Sequence, residues 1–507
     1  FLYFRYAHRY KYYWAQQNVV HEEFSLLLGP LRNVFTKACI RYTPVQFLDQ
    51  ELYKKYGRLF GTFVNGRPVL FVADPDLVKM IMARDFHVVS GRNVSGPFLT
   101  SFGDPVPDNM MTSVNLERWK PIRSVASPAF SSANVKKING IITESARATS
   151  EYLRKNRQDF DVKKFFANYA LNVISKCAFG VKLNPDSDVT NKFANDAKAA
   201  FGRNLLVPLA AINLFPDFIK WLNMSIFNVE IFRCFKNFAT SVMKERDASG
   251  KRNDDFVQHM MDARGNLSSV RDAEHTQRKG RSITSYQSSK VLFLISETEA
   301  VSQCVLIFLA GMDSISSVIS HTIYLLALHR EEQRKLQEEV DECFKIHGEQ
   351  PSADVISKLS YLHAVVSETF GRSSRVLDRS PTEDYVLGDT GITVPKGGTI
   401  TIPIYSMHRD PLNFSNPDSF IPERFNDENI SSICPYTYLP FGAGPKSCMG
   451  VNFALLSVNL CILHSIRNFE FSRTQKTKVP LKCSRGIGLL HTEEFSVGIR
   501  ERFPTAT

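Results

Sequence analysis

One cysteine stands apart from the rest. Cys448 lies in the run Leu439–Ala454, LPFGAGPKSCMGVNFA, where Phe441, Gly444, Cys448 and Gly450 keep the spacing F-x-x-G-x-x-x-C-x-G. A thiolate is both a nucleophile and a metal ligand. Glycines before it let the backbone loop tightly under a flat ligand. The helix-period run CMGVNFALLSVNLCILHSI starts at the cysteine, so its sulfur is expected at a helix N-terminus, where the dipole and free N–H groups favour the thiolate. Gly450 and Ala454 keep the ligand-facing side of that helix small. A lone loop cysteine is ordinarily a half-buried thiol, and that reading holds for the other eight. Nine cysteines without a CxxC pair indicate neither a disulfide framework nor a zinc ribbon, and the bulk of the chain is expected in a reducing compartment.

A second set of residues could move protons. Asp313 and Ser314, in FLAGMDSISS, put a carboxyl beside a hydroxyl within an apolar helical run, next to the small residues Ala310 and Gly311. A third set could hold an anion. Trp119 and Arg123 stand at i and i+4, so one helix face offers an indole N–H and a guanidinium, both donors. Taken singly, Arg92, Arg379 and Lys446 read as surface cations.

These patterns together resemble the cytochrome P450 superfamily, from about Tyr56 to Arg502, and most of all its microsomal, xenobiotic-metabolising 3A-like clan. The resemblance implies the P450 fold, mainly α with a small β-rich lobe. It implies haem b, iron protoporphyrin IX, with Cys448 as the iron ligand, chemistry that favours cleavage of the dioxygen O–O bond. Arg92, Trp119, Arg123, Arg379 and Lys446 match propionate-binding positions, Lys446 giving a point charge where arginine is commoner. Ala310, Gly311, Phe441, Gly450 and Ala454 match further haem contacts, with Gly311 expected to let the central helix open beside the ring. Asp313 and Ser314 match the acid–alcohol pair that supplies protons during oxygen activation. Serine stands where the family usually has threonine, and its freer χ1 is expected to weaken coupling.

The implied activity is insertion of one oxygen atom from dioxygen into a lipophilic small molecule. Electrons would come from NADPH through a flavoprotein NADPH-cytochrome reductase docking on the basic face near Cys448, with cytochrome b5 as a further partner. The implied location is the endoplasmic reticulum membrane, cytosolic face. Substrate-contacting positions match Pro97–Phe102, Leu205–Phe227, Phe308 and Ile487–Leu490.

One motif departs. Glu368 opens the family's E-x-x-R, but position 371 is Gly371, followed by Arg372. Glycine weakens a helix there, whereas Arg372 at i+4 still shares the face of Glu368. Arg424, in FIPERF, is expected to lock the haem loop to the helix of Glu368. A tolerated variant, a haem-binding paralogue without turnover and an error in the coding sequence all fit Gly371. A haem-thiolate isomerase is a further alternative, opposed by the intact Gly311-x-Asp313-Ser314 array.

The elements that must position these residues are mostly helical. Helix-period runs cover Asn115–Arg123, Ala129–Arg154, Phe160–Phe179, Val229–Met261, Val291–Leu328, Glu331–Cys343 and Asp354–Phe370. A hairpin with an Asn65-Gly66 turn precedes them, followed by a helix capped by Asp74 with Pro75 at its first position. Residues 30–507 read as one catalytic domain and 1–29 as the remnant of a membrane-anchor and linker region, with 264–290 a disordered surface insertion. No run of about 18 apolar residues occurs, so no membrane span is expected. The 507 residues carry a net charge of +11, 43% hydrophobic and 22% charged residues, which excludes a disordered or fibrous chain. No helix-turn-helix, finger or RNP pattern accompanies the positive charge, so nucleic acid is not an expected partner. A membrane surface or an acidic protein is.

Overall fold

The computed structural model describes residues 10–23, 45–64, 67–92, 105–155, 161–183, 229–264, 295–373, 377–484, 491–492 and 495–503. It is mainly helical with a small β lobe, as the sequence predicts.

Helix α1 (Val45–Tyr56) leads into β1 (Leu59–Val64) and β2 (Arg67–Val72), which pair antiparallel from Leu59↔Val72 to Val64↔Arg67. That register agrees with the hairpin expected from Asn65-Gly66, although those two residues lie outside the described set. α2 (Pro75–Lys79) starts where its cap predicts, with Asp74 Oδ1 accepting from the N–H groups of Asp76 and Leu77 at 3.1 Å each. α3 (Pro105–Asp108), α4 (Leu116–Ala126, capped by Asn115), α5 (Ser132–Lys137) and α6 (Asn139–Lys155) follow. The single helix expected over Ala129–Arg154 is therefore broken: Ser131 caps α5, and a serine oxygen that accepts from the backbone starts a new helix rather than continuing an old one. α7 (Val162–Phe179) runs from the Asp161 cap to Gly180 in the left-handed conformation at φ +62°. The expected helix Val229–Met261 likewise splits into α8 (Val229–Ser249) and α9 (Phe256–Asp262), parted at Gly250 with φ +65° and restarted by the Asp255 cap.

α10 (Glu297–Leu328) is the spine of the molecule. A reciprocal Ser296–Glu299 capping box starts it. Contrary to the expectation of no span-like segment, it is long and apolar enough to cross a membrane, yet 67% of its most apolar window is buried inside the protein. It is the core helix of a four-helix ring: α7 packs on α10 and α6, and α15 (Val451–Asn468) packs on α6 and α10. Between α10 and α15 run the charged surface helix α11 (Arg330–His347), α12 (Ala353–Ile356), α13 (Ser360–Ser373) and α14 (Ile404–Met407). The expected helix Asp354–Phe370 breaks at residues 357–359 but then continues through Gly371 to Ser373.

The β lobe is a four-stranded sheet ordered β1-β2-β6-β3, from β3 (Leu377–Arg379) and β6 (Thr399–Ile402), where β2–β6 is parallel and the other pairs antiparallel. Small two-stranded pairs are β4 (Tyr385–Val386) with β5 (Thr393–Val394), β7 (Phe469–Ser472) with β10 (Gly498–Glu501), and β8 (Cys483–Ser484) with β9 (His491–Thr492). Residues 10–23 dock on this lobe. Trp14 is fully buried and donates from Nε1 to Thr62 O at 2.9 Å. It fits because its neighbour is Gly61, where a Cβ would lie 2.4 Å from the indole.

Candidate functional site

The Cys448 loop is shaped by two glycines that no other residue can replace cheaply. Gly442 and Gly444 have φ of +70° and +68°, and a Cβ on Gly444 would lie 1.9 Å from Met82 O. Cys448 N–H donates to Phe441 O at 2.8 Å and Ser447 N–H to Gly444 O at 3.0 Å, closing the turn. α15 begins at Val451 with Gly450 as cap, so Cys448 lies just ahead of the helix rather than in its first turn. The expected thiolate stabilisation is offset here. Burial pushes the Cys448 thiol up, while the Gly450 N–H and the Arg123 and Arg92 guanidiniums pull it down. Its surface is nevertheless open to solvent, the combination expected of a sulfur facing a recess walled by protein.

The structure brings together Lys446, Arg92, Trp119 and Arg379, four of the residues expected to hold an anion. Lys446 Nζ donates to Ser90 O at 2.6 Å and sits 5.4 Å from the centre of the Trp119 ring. Arg92 Nη2 donates to Lys446 O at 3.2 Å. Arg379 on β3 is buried and donates from Nη1 to Asp378 O at 2.8 Å, while its Nε meets no partner. The cations press on one another. Burial, then Arg92, lowers Arg379 to about 10. Burial, then Arg92 and Arg379, lowers Lys446 to about 7. Burial also lowers Arg123 on α4, against the pull of Cys448. Ser90 was not expected in this cluster, and a backbone acceptor leaves no sequence signal.

On α10, the residues between Glu299 and Ala327 that escape full burial are Leu306, Ile307, Ala310, Gly311, Asp313 and Ser314. Their recurrence every three to four positions marks one face. Ala310 is exposed in the middle of this otherwise buried helix. Gly311 does not open the helix: α10 runs through it unbroken, and a Cβ there would meet Ile174 Cδ1 of α7 at 2.8 Å, so its smallness serves close helix packing. Ser314 Oγ donates back to Ala310 O at 2.7 Å. Asp313 Oδ1 is 3.8 Å from Nζ of the buried Lys163. Phe308, expected in a substrate pocket, is buried instead among Phe179, Phe235 and Phe238, with ring centres 4.2, 5.7 and 5.3 Å away. The other three expected pocket segments, Pro97–Phe102, Leu205–Phe227 and Ile487–Leu490, lie outside the described residues, as does the 264–290 insertion beyond Arg264.

The departure at Gly371 has a definite outcome. Arg372 swings toward Glu368, its Nη2 3.4 Å from Oε1, and Arg424 Nε lies 3.4 Å from Oε2. Burial still raises the Glu368 carboxyl despite Arg372, Arg424 and the Ile421 N–H. Arg424 ties Glu368 to the carbonyls of Ser415, Asn416 and Ser419 rather than to the Cys448 loop itself. The loop is joined to α13 by other residues. Tyr438 Oη donates to Ser367 O at 2.8 Å, and the Phe441 ring packs on Phe370 at 4.8 Å. His408 bridges the two: Leu439 N–H donates to Nε2 at 3.0 Å, so Nδ1 carries the proton facing Gly371 O at 3.2 Å. His408 opens the run His408-Arg409-Asp410-Pro411, and only the fold shows what it joins.

A sequence profile of the family described as Cytochrome P450 matches residues 38–498. The chain belongs to the cytochrome P450 family. It is 32% identical over 458 residues to Cytochrome P450 3A11 of Mus musculus, covering 88% of this chain and 85% of that one. To Cytochrome P450 3A6 of Oryctolagus cuniculus it is 31% identical over 488 residues, 92% and 89% of the two chains. To Cytochrome P450 3A2 of Rattus norvegicus it is 31% identical over 449 residues, 86% and 83%. The chain is thus a P450-type oxidoreductase, a haem-thiolate monooxygenase in its general class.

The residues present suit that cofactor. A buried set of mutually repelling cations calls for an anion among them, and a porphyrin with two carboxylates supplies one. Cys448 offers an accessible sulfur for the iron, and the exposed Ala310 is small enough to sit against a flat ring.

Proposed function

We propose that this chain uses NADPH-derived electrons, delivered by a flavoprotein reductase and with cytochrome b5 as a further donor, to insert one oxygen atom of dioxygen into a lipophilic small molecule. Cys448 is the metal ligand. Arg92, Trp119, Arg123, Arg379 and Lys446 hold the propionates, and Ala310, Gly311, Phe441, Gly450 and Ala454 border the ring. The cofactor, when bound, supplies oxygen activation by a thiolate-ligated iron. The protein supplies the rest. Burial of the clamp excludes water from the charged groups. Ser314 can turn its hydroxyl from Ala310 O toward the recess, and Asp313 beside it can relay a proton. The reading includes a cytosol-facing place on the endoplasmic reticulum membrane, as the resemblance to the microsomal 3A-like clan implies.

The observation that carries this proposal is the meeting of Lys446, Arg92 and Arg379 beside the Cys448 loop. The test is a reduced-minus-CO difference spectrum followed by NADPH oxidation with reductase and a lipophilic substrate. The expected result is the red-shifted Soret band of a thiolate ligand, lost in Cys448→Ala, with substrate-dependent product. A thiolate spectrum that survives Cys448→Ala would refute the ligand assignment. A second reading, haem binding without turnover, is favoured by the raised Glu368 carboxyl beside Gly371. It predicts the same spectrum and no product.

A further inference from the structure

The absent side chain at Gly371 leaves space. A Cβ built there would find nothing closer than His408 Nδ1 and Tyr438 Cε2, both at 3.9 Å. The space is part of a small recess, partly open to solvent, lined among others by Glu368, Arg372, Arg409, Arg424 and the Tyr438 ring.

Its charges do not balance. Three guanidiniums line it, and a guanidinium stays charged in a protein. Glu368 is the one carboxylate in the lining, and it is already shared by Arg372 and Arg424. His408 is neutral, since burial pushes it down to about 3. Asp418 lies 3.9 Å from Arg409 Nε, but its side chain is 86% exposed, so water and salt screen it. Two of the guanidinium nitrogens, Arg372 Nε and Arg409 Nη1, are buried without a hydrogen-bond partner. The Arg409 guanidinium faces the Tyr405 ring at 3.7 Å, which satisfies one face and no N–H. A buried excess of positive charge with unpaired donors is unfavourable unless a counter-ion joins it.

We propose that the recess beside Gly371 binds one small monovalent inorganic anion, of the size and charge of chloride. The aromatic wall argues for a weakly hydrated single charge. A phosphate would bring a second charge and a hydration shell that Tyr438, Phe414 and Phe425 cannot replace. This site is separate from the haem clamp and independent of whether the chain turns over substrate.

The test is thermal unfolding of the purified full chain in sodium chloride or bromide against sodium gluconate at equal ionic strength. The expected result is a saturable rise in melting temperature with chloride and bromide, about 2–3 °C at a hundred times the half-saturating concentration. Gly371→Leu fills the recess without adding charge and should remove that difference. Crystals soaked in bromide give a second measurement that needs no variant: an anomalous peak is expected among Arg372, Arg409 and Arg424. Equal melting in halide and gluconate, a halide response unchanged in Gly371→Leu, or bromide crystals with no peak in the recess would each overturn the proposal.

Discussion

Replacing Arg372 by alanine removes one of two cations from a carboxylate that has little else. Glu368 is 7% exposed at its side chain, and its contacts with Arg372, Arg424 and the Ile421 N–H lie at 3.4, 3.4 and 3.3 Å, all long for charged pairs. Deleting the sole partner of a buried ion costs about 3–5 kcal/mol. Arg424 and the Ile421 N–H survive here, so the loss is nearer that of one charged hydrogen bond, about 1.5–3 kcal/mol. Relief of Arg409, which Arg372 depresses in addition to burial and against the pull of Tyr405, offsets part of it. We expect about 2 kcal/mol, a fall of roughly 2 °C in melting temperature for a chain of 507 residues. The pH dependence identifies the cause. Burial raises the Glu368 carboxyl above its unfolded value, so the native state favours its protonated form. Its contribution to stability is fully present below the unfolded pKa, near 4.3, and is lost as pH rises through the folded one. Removing Arg372 raises the folded value further. The gap between wild type and Arg372→Ala should therefore be small near pH 4 and widen toward neutrality, while Arg372→Lys should narrow it. The assay is melting by circular dichroism across pH in chloride-free buffer. An Arg372→Ala variant as stable as wild type at pH 7, or a gap that does not change with pH, would refute the reasoning.

Two further outcomes are expected. Ser314→Ala should keep the CO difference spectrum yet divert NADPH into peroxide, whereas Ser314→Thr, with its stiffer χ1, should raise the ratio of product to NADPH above wild type; an unchanged ratio in both removes Ser314 from proton delivery. Trp14→Ala should destabilise the β lobe by about 3–5 kcal/mol, as large-to-small core changes do, seen as early melting and as hydrogen exchange in β1 and β2; unaltered exchange there would show that residues 10–23 are dispensable to the lobe.

Most of the site was legible because its chemistry is local. The Cys448 loop, Trp119–Arg123 and Asp313–Ser314 are short patterns whose spacing carries the geometry. Helix existence was legible for the same reason, but several boundaries were not. Ser131 and Asp255 restart helices through their own side chains, and a period-3.6 pattern runs across such caps without marking them. The role of Gly311 and the place of Phe308 were not legible for another reason: both sit on α10, and only packing shows that the small Gly311 lets α7 approach while Phe308 lies among other rings. Trp14 falls within the stretch 1–29 read as an anchor and linker remnant, yet Gly61, remote in sequence, makes a slot for its ring. Non-local complementarity of that kind leaves no trace in a single sequence.

The same distinction decides how serious Gly371 is. The sequence makes the E-x-x-R motif look broken, since a buried carboxylate loses its partner. On a helix, however, i+3 and i+4 share a face, and α13 continues to Ser373, so the turn that carries Arg372 is intact. The change therefore moves the cation by one position instead of deleting it. What suffers is fit, in the long contacts at Glu368 and the recess beside Gly371. The loop of Cys448 is held to α13 by Tyr438 on Ser367, by Phe441 on Phe370 and by His408 between Gly371 O and Leu439 N–H. None of those three links needs a side chain at position 371: Tyr438 and Phe441 reach Ser367 and Phe370, and His408 meets only the backbone carbonyl of Gly371. A weakened Glu368 network should then lower the stability of the domain without moving Cys448, so haem loading in Arg372→Ala is expected to fall with unfolding and not before it. Haem lost from a variant that still melts as wild type would show instead that Glu368 governs the loop directly.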